Sequence, residues 1–330
     1  MNGEVLISEA HPETVPTART GVERRARTEK YAGFEILRIL GVTGVATFHL
    51  LPASDPAMSI PRAIGHAVFY PLVIVMMALA AEPRPGRRST DVIHGRAARL
   101  LVPWLVWLGL YFCYEVLRRL ARGHPAWVTP TVDEVISGPR DHLWFLPFAF
   151  LTTVAAGLLR PSRTSLQAAI TWAVAGAILV PVCIVGRDVF SVPRPIYQMV
   201  TCLPAVAVGV AAALGEMPGR PVWTRLAVAF VPALLSSVVT AAVVPDAEGV
   251  LILACGLLTA VAFWSLRRPA GPWLLWAAGL SMGVYLAHPL VGGLLWPITG
   301  RHPWMHLIVV FFVSALLVAV ARRTSFRVAL

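Results

Sequence analysis

The chain has 330 residues, 57% of them hydrophobic and only 14% charged, with a formal net charge of +11. Soluble domains carry about 45–50% apolar and about 25% charged residues. The balance here excludes a disordered chain and a nucleic-acid-binding domain, and argues against an ordinary soluble enzyme. The basic excess then reads as the cytoplasmic loops of a membrane protein rather than as a polyanion-binding surface.

The first 30 residues are polar. They hold Arg19, Arg24, Arg25, Arg27 and Lys30, and no apolar core of a signal peptide. They predict a mobile cytoplasmic tail. A membrane helix needs about 20 mostly apolar residues. Ten runs qualify, at about 33–52, 62–82, 98–117, 143–160, 166–186, 196–215, 223–244, 248–266, 273–297 and 303–321. The seventh and eighth are the least distinct, being joined by Pro245, Asp246, Ala247 and Glu248. The runs are continuous, which excludes a β-barrel, and no fixed-period repeat of a two-halved transporter is visible. With the N-terminus inside, most Lys and Arg fall in the inner tail and loops while the acids divide evenly, as the positive-inside rule requires. The expected fold is all-α: a polytopic membrane bundle of about ten transmembrane helices with both termini cytoplasmic. Residues 31–321 form its membrane domain and 322–330 a short tail. Cys113, Cys183, Cys202 and Cys255 lie in spans without paired or metal-ligand spacing and read as packing residues. No metal site is expected.

The first span carries three ionisable groups, Glu35, Arg38 and His49. Such groups cost about 2.5–3.5 kcal/mol each at the membrane centre on insertion scales and are kept where they face the protein interior. Glu35 and Arg38 are three apart and share a face. Arg38 and His49 are eleven apart, about 20° of angular offset and about 16 Å of rise. The three therefore line one stripe, with Gly41, Thr43, Gly44, Ala46 and Thr47 between the two ends. Small residues there admit a neighbouring helix or a ligand. A structural ion pair plus an interfacial histidine is the bland alternative, but packing alone does not require three costly groups on one stripe.

The third span opens with His94, Arg96 and Arg99, followed by Pro103. The two arginines are either positive-inside anchors or a phosphate site, for which the guanidinium fork is suited; spacing alone leaves both open. The longest outer loop, about 118–142, holds Arg118, Arg119, Arg122, His124, Asp133, Glu134, Arg140, Asp141 and His142. It is either a solvated loop or a surface for an anionic or sugar-like ligand. His142 begins the run His142, Leu143, Trp144, Phe145, and aromatic residues are expected at a span end. In the ninth span Ser281, Tyr285 and His288 make one polar face, with His288 next to Pro289.

At these four places the sequence resembles the acyltransferase 3 family of integral membrane acyltransferases, mostly bacterial. The matching segments are the acid, Arg, ten residues and His of the first span (Glu35, Arg38, His49); "HGRAARLLVPWLVW" with Arg96, Arg99 and Pro103; "HLWFL" from His142; and "SMGVYLAHPL" from Ser281. Their order fits as well, and the resemblance spans about residues 30–321. It departs from the family in two places. The second span reads "YPLVIVMMALAAE" where members often have a Phe-rich stretch ending in Ser-Gly-Phe, and Glu35 stands where an Asp is frequent.

The resemblance implies a multi-pass enzyme of the bacterial inner membrane. It would move an acyl group, acetyl first among them, from cytoplasmic acyl-CoA to a hydroxyl of an extracytoplasmic glycan, glycolipid or related acceptor. It implies catalysis by His49 with Arg38 and Glu35, acyl-CoA binding by Arg96, Arg99 and Arg38, and acyl-CoA as co-substrate rather than a permanently bound cofactor. His142, Trp144, Ser281, Tyr285 and His288 are expected to line the substrate path. The expected partners are membrane lipid, acyl-CoA and the acceptor, and no nucleic acid. The alternative is a secondary transporter or flippase using the first-span stripe as its pathway.

Overall fold

The structure, a computed structural model, describes residues 31–82, 88–125, 130–139, 142–159, 165–189, 192–215, 221–244, 248–266 and 268–324. The expected tail at 1–30 and residues 325–330 of the expected tail at 322–330 lie outside the described residues, as do Arg140 and Asp141 of the outer loop. The described residues form helices and no strand, apart from an isolated bridge between Tyr31 and Pro269. In chain order the α-helices are α1 Ala32–Leu50, α2 Ser59–Ala67, α3 Phe69–Ala81, α4 Ser89–Leu120, α5 Val132–Ser137, α6 Phe145–Leu159, α7 Leu166–Val189, α8 Ile196–Thr201, α9 Leu203–Leu214, α10 Val222–Val243, α11 Glu248–Trp264, α12 Pro272–Thr299 and α13 Pro303–Ala321. A 3₁₀ turn at Pro56–Met58 precedes α2.

Every expected span coincides with a helix or a broken helix. Eight segments among the described residues are long and apolar enough to cross a membrane, two of them being the broken runs α2–α3 with the turn before it and α8–α9. The fourth and eighth expected spans correspond to two shorter apolar helices, Phe145–Leu158 and Glu248–Trp264. The breaks have one cause. A proline removes an N–H and its ring crowds the carbonyl four residues earlier. Pro71 does this to Ala67, the last residue of α2, and Pro204 to Val200, the penultimate residue of α8.

Helices α3 and α9 are the most enclosed and pack against each other; α7 and α10 cover α9 on its other side. α1 packs between α12 and the α2–α3 pair. The apolar core runs continuously through these helices, from Leu37 and Val42 of α1 to Ile74 and Met77 of α3 and Ala211 of α9. Large apolar side chains such as Leu235, Leu258 and Phe312 point outward, where lipid is the compatible solvent. Cys183 and Cys202 are buried as packing residues, whereas Cys113 and Cys255 stand exposed, so the packing reading fails for that pair.

Two close approaches fix α1. Its start is tied to the α11–α12 connection, Ala32 N donating to Arg268 O at 2.8 Å. Further along, α1 and α2 meet at Gly44 and Gly65. A Cβ on Gly65 would lie 2.6 Å from Gly44 O, so neither helix can carry a side chain there without separating. Gly41 and Gly44 of the first span thus serve helix packing. Gly65→Val is expected to lower stability by about 1–3 kcal/mol through overpacking. Thermal unfolding of the detergent-solubilised protein measures it, and an unchanged midpoint would show that this contact is loose.

Candidate active site

α1 is unbroken from Ala32 to Leu50, so Glu35, Arg38 and His49 do share a stripe. Arg38 Nη1 donates to Glu35 Oε2 at 2.8 Å, with the Glu35 side chain 7% exposed and that of Arg38 34%. Thr43 and Thr47 donate back to Ile39 O and Thr43 O at 2.9 and 2.8 Å. Their hydroxyl protons are therefore already used within the helix.

His49 sits near the end of α1, and α12 runs beside α1 from adjacent starts. At 1.5 Å per residue both His49 and His288 lie about 25 Å from those starts. Their ring centres are 5.9 Å apart. His142, just ahead of α6, is the third member: its ring centre lies 5.9 Å from that of His288 and 6.4 Å from that of His49. His142 and His288 are fully enclosed, whereas His49 is half-buried. Of the three, His49 is the least enclosed.

His142 is held from two directions. Gly138 turns the chain back with φ +71°, a conformation that favours glycine. The amides of His142 and Leu143 then both donate to Ser137 O, at 3.1 and 2.8 Å. From α12, the Tyr285 hydroxyl donates to His142 O.

The local structure around His288 follows from Pro289. Without an N–H at 289, the Tyr285 carbonyl has no helical donor. The His288 ring folds back and supplies one: Nδ1 lies 2.8 Å from Tyr285 O and 3.2 Å from Val284 O. Carbonyls only accept, so Nδ1 carries the proton and Nε2 bears the lone pair. The next helical bond is also replaced. Leu290 N donates to the Tyr111 hydroxyl at 3.1 Å, which in turn donates to Leu286 O at 2.8 Å. An α4 side chain is thereby spliced into the α12 ladder, a recognised cause of a helix opening. The Tyr111 ring also meets the His142 ring edge-on, with centres 4.7 Å apart.

The structure thus brings together His49, His142, Tyr285 and His288, and separately pairs Glu35 with Arg38. Ser281 belongs to neither group: its hydroxyl is buried on α12 without a hydrogen-bond partner among the described residues. Trp144 is buried against Phe69, Phe145 and Phe148, so it packs the wall behind the histidines rather than standing at an interface. Arg96 is half-buried and Arg99 exposed, both well inside α4, which starts at Ser89 rather than near 98. α4 also runs on to Leu120, so Arg118 and Arg119 are helical and not loop residues. Both pair with Glu115, Arg118 through two bonds of 2.8 and 2.7 Å and Arg119 at 3.4 Å.

Two residues at this site escape the sequence reading. Tyr111 is one of two tyrosines in an apolar run, and nothing in its own helix signals that its hydroxyl bonds Leu286 O and Leu290 N of another. Arg62 begins the expected second span and looks like an interfacial anchor. Its guanidinium instead donates to Phe48 O and Leu51 O at the end of α1 and lies 4.5 Å from the centre of the Phe48 ring. A cation at the helix C-terminus satisfies carbonyls that have no helical donor, and here it holds the turn that bears His49. Arg62→Met keeps the aliphatic stem and removes both bonds. It is expected to lower stability by about 1.5–3 kcal/mol, read as a fall in the thermal midpoint; no fall would make this cap dispensable.

A family model described as an acyltransferase domain matches residues 31–323. No curated protein and no solved structure matches the chain significantly. The family match covers nearly the whole chain and runs through all four motif segments: the chain belongs to the acyltransferase 3 family and is a multi-pass membrane acyltransferase.

Proposed function

We propose that this protein is an O-acyltransferase of a bacterial inner membrane. It takes an acyl group, acetyl first among them, from cytoplasmic acyl-CoA and delivers it to a hydroxyl of an extracytoplasmic glycan, glycolipid or related acceptor. The observation that carries this reading is the partly buried His49 set against two fully buried histidines. Acyl transfer to a hydroxyl needs a base beside the attacking oxygen, and histidine suits it near neutral pH. The acceptor oxygen bonds to the acyl carbon, the thioester C–S bond breaks, and the acceptor's proton passes through His49 to the departing thiolate of CoA.

The other residues take roles that their chemistry allows. Arg38 stands about 16 Å down the stripe from His49, a span of the order of a pantetheine arm, and Glu35 fixes its guanidinium. Arg96 and Arg99 offer two forks for the nucleotide phosphates. Tyr285 holds the backbone of His142 beside the other two histidines. Acyl-CoA is a co-substrate on this reading, and surrounding lipid is the solvent. The test is thiol release from acetyl-CoA by the purified protein in detergent, with and without an extract of the host's surface glycans and lipids. Extract-dependent release supports acyl transfer; acetyl-CoA left intact, with no binding detectable, removes the donor from the proposal.

A further inference from the structure

His288 Nε2 is a fully buried ring nitrogen with no hydrogen-bond partner among the described residues. Its lone pair is fixed there because Nδ1 spends its proton on Tyr285 O and Val284 O. A buried acceptor left open in this way calls for a donor. His49 and His142 both place ring centres 5.9 Å from that of His288; His142 is fully enclosed, and His49 is the partly buried one of the two to which the proposed reaction assigns the base. A ring nitrogen sits about 1.1 Å from its ring centre, so nitrogens of the two rings turned to face each other come no closer than about 3.7 Å in this arrangement, and a movement of at least about half an ångström brings them to hydrogen-bond length. Catalytic hydrogen bonds are often long in the empty site and shorten when substrate binds.

We infer that His288 is a positioning residue for His49: its Nε2 accepts an N–H from the His49 ring, which leaves the other His49 nitrogen as the base. The relay runs from the Tyr285 carbonyl through His288 to His49, with two histidines doing what a buried acid and a histidine do in a hydrolase triad. When His49 takes the acceptor's proton, its N–H bond to His288 strengthens and the new positive charge is shared across both rings. The proton then returns through the same His49 nitrogen to the thiolate of CoA, so at the end of the cycle both rings are neutral again, each with its single N–H. Tyr111 serves the same end by bonding α12 on either side of His288, at Leu286 O and Leu290 N.

This inference rests on the catalytic reading of His49, and the experiment separates the two. Inside-out membrane vesicles carrying the protein and its native acceptors are supplied with labelled acetyl-CoA. Transfer is followed for wild type, His49→Ala, His288→Phe, His288→Gln and His288→Asn. A Gln amide oxygen falls near the former Nε2 and accepts in its place, whereas an Asn amide nitrogen falls near the former Nδ1 and keeps only the backbone bond. The relay predicts that His288→Phe loses about 100-fold in kcat with the KM for acetyl-CoA unchanged, and that Gln recovers at least ten times more activity than Asn. Asn equal to or better than Gln makes His288 a backbone prop and overturns the relay, as does full kcat in His288→Phe. Full activity in His49→Ala removes the catalytic reading itself, whatever the His288 variants show.

Discussion

His49→Ala is expected to slow acyl transfer by about 10²–10⁴-fold, the usual contribution of a positioned general base, while the protein remains in the membrane at its normal level. The loss belongs in kcat, because His49 is assigned to the reacting hydroxyl and not to the donor's phosphates. Stability should change little: His49 is half-buried, and among the described residues the α1–α12 packing rests on apolar contacts such as those of Leu50 and Val291. Transfer of labelled acetyl groups in membrane vesicles, with the variant's level checked by immunoblot, measures both. A variant that retains wild-type kcat would leave the histidine cluster without a chemical role.

Arg38→Gln is expected to have the largest effect on stability. Removing one member of a buried ion pair costs about 3–5 kcal/mol because the remaining charge stays buried and unpaired. The Glu35 carboxylate would be that charge; since the Arg38 side chain is one-third exposed, the low end of the range applies. The double variant Glu35→Gln with Arg38→Gln removes both charges and should recover most of the loss. The assigned donor role predicts a second effect that the double variant does not repair, a rise of tenfold or more in the KM for acyl-CoA. A KM restored together with stability would reduce the pair to a structural one.

Much of the bundle was legible because lipid imposes one rule on every span. Continuous apolar length locates the helices, and all ten expected runs have a helical counterpart. Their ends were less legible. Arg96 and Arg99 sit inside α4, and Arg118 and Arg119 close it, because charged residues can extend a helix past the apolar window when they pair with Glu115 or reach a polar layer. Of the site, the Glu35–Arg38 pair was legible from its three-residue spacing. The gathering of His142 and His288 around His49 was not, since nothing in one helix states which face of another it will meet. Tyr111 and Arg62 were invisible for a sharper reason: each bonds backbone groups of a different helix, beside Pro289 and at the end of α1. Trp144 misled because aromatic residues near a span end serve lipid interfaces and packed walls alike.

The claim that this histidine cluster transfers acyl groups outward is tested most directly by mass analysis of surface glycans and lipids. Cells carrying wild-type protein, His49→Ala or no copy of the gene are compared. The account predicts an acyl mass increment on a surface hydroxyl in the wild type alone, with His49→Ala matching the cells that lack the gene. The same increment in all three strains, or in wild type and His49→Ala alike, would contradict it.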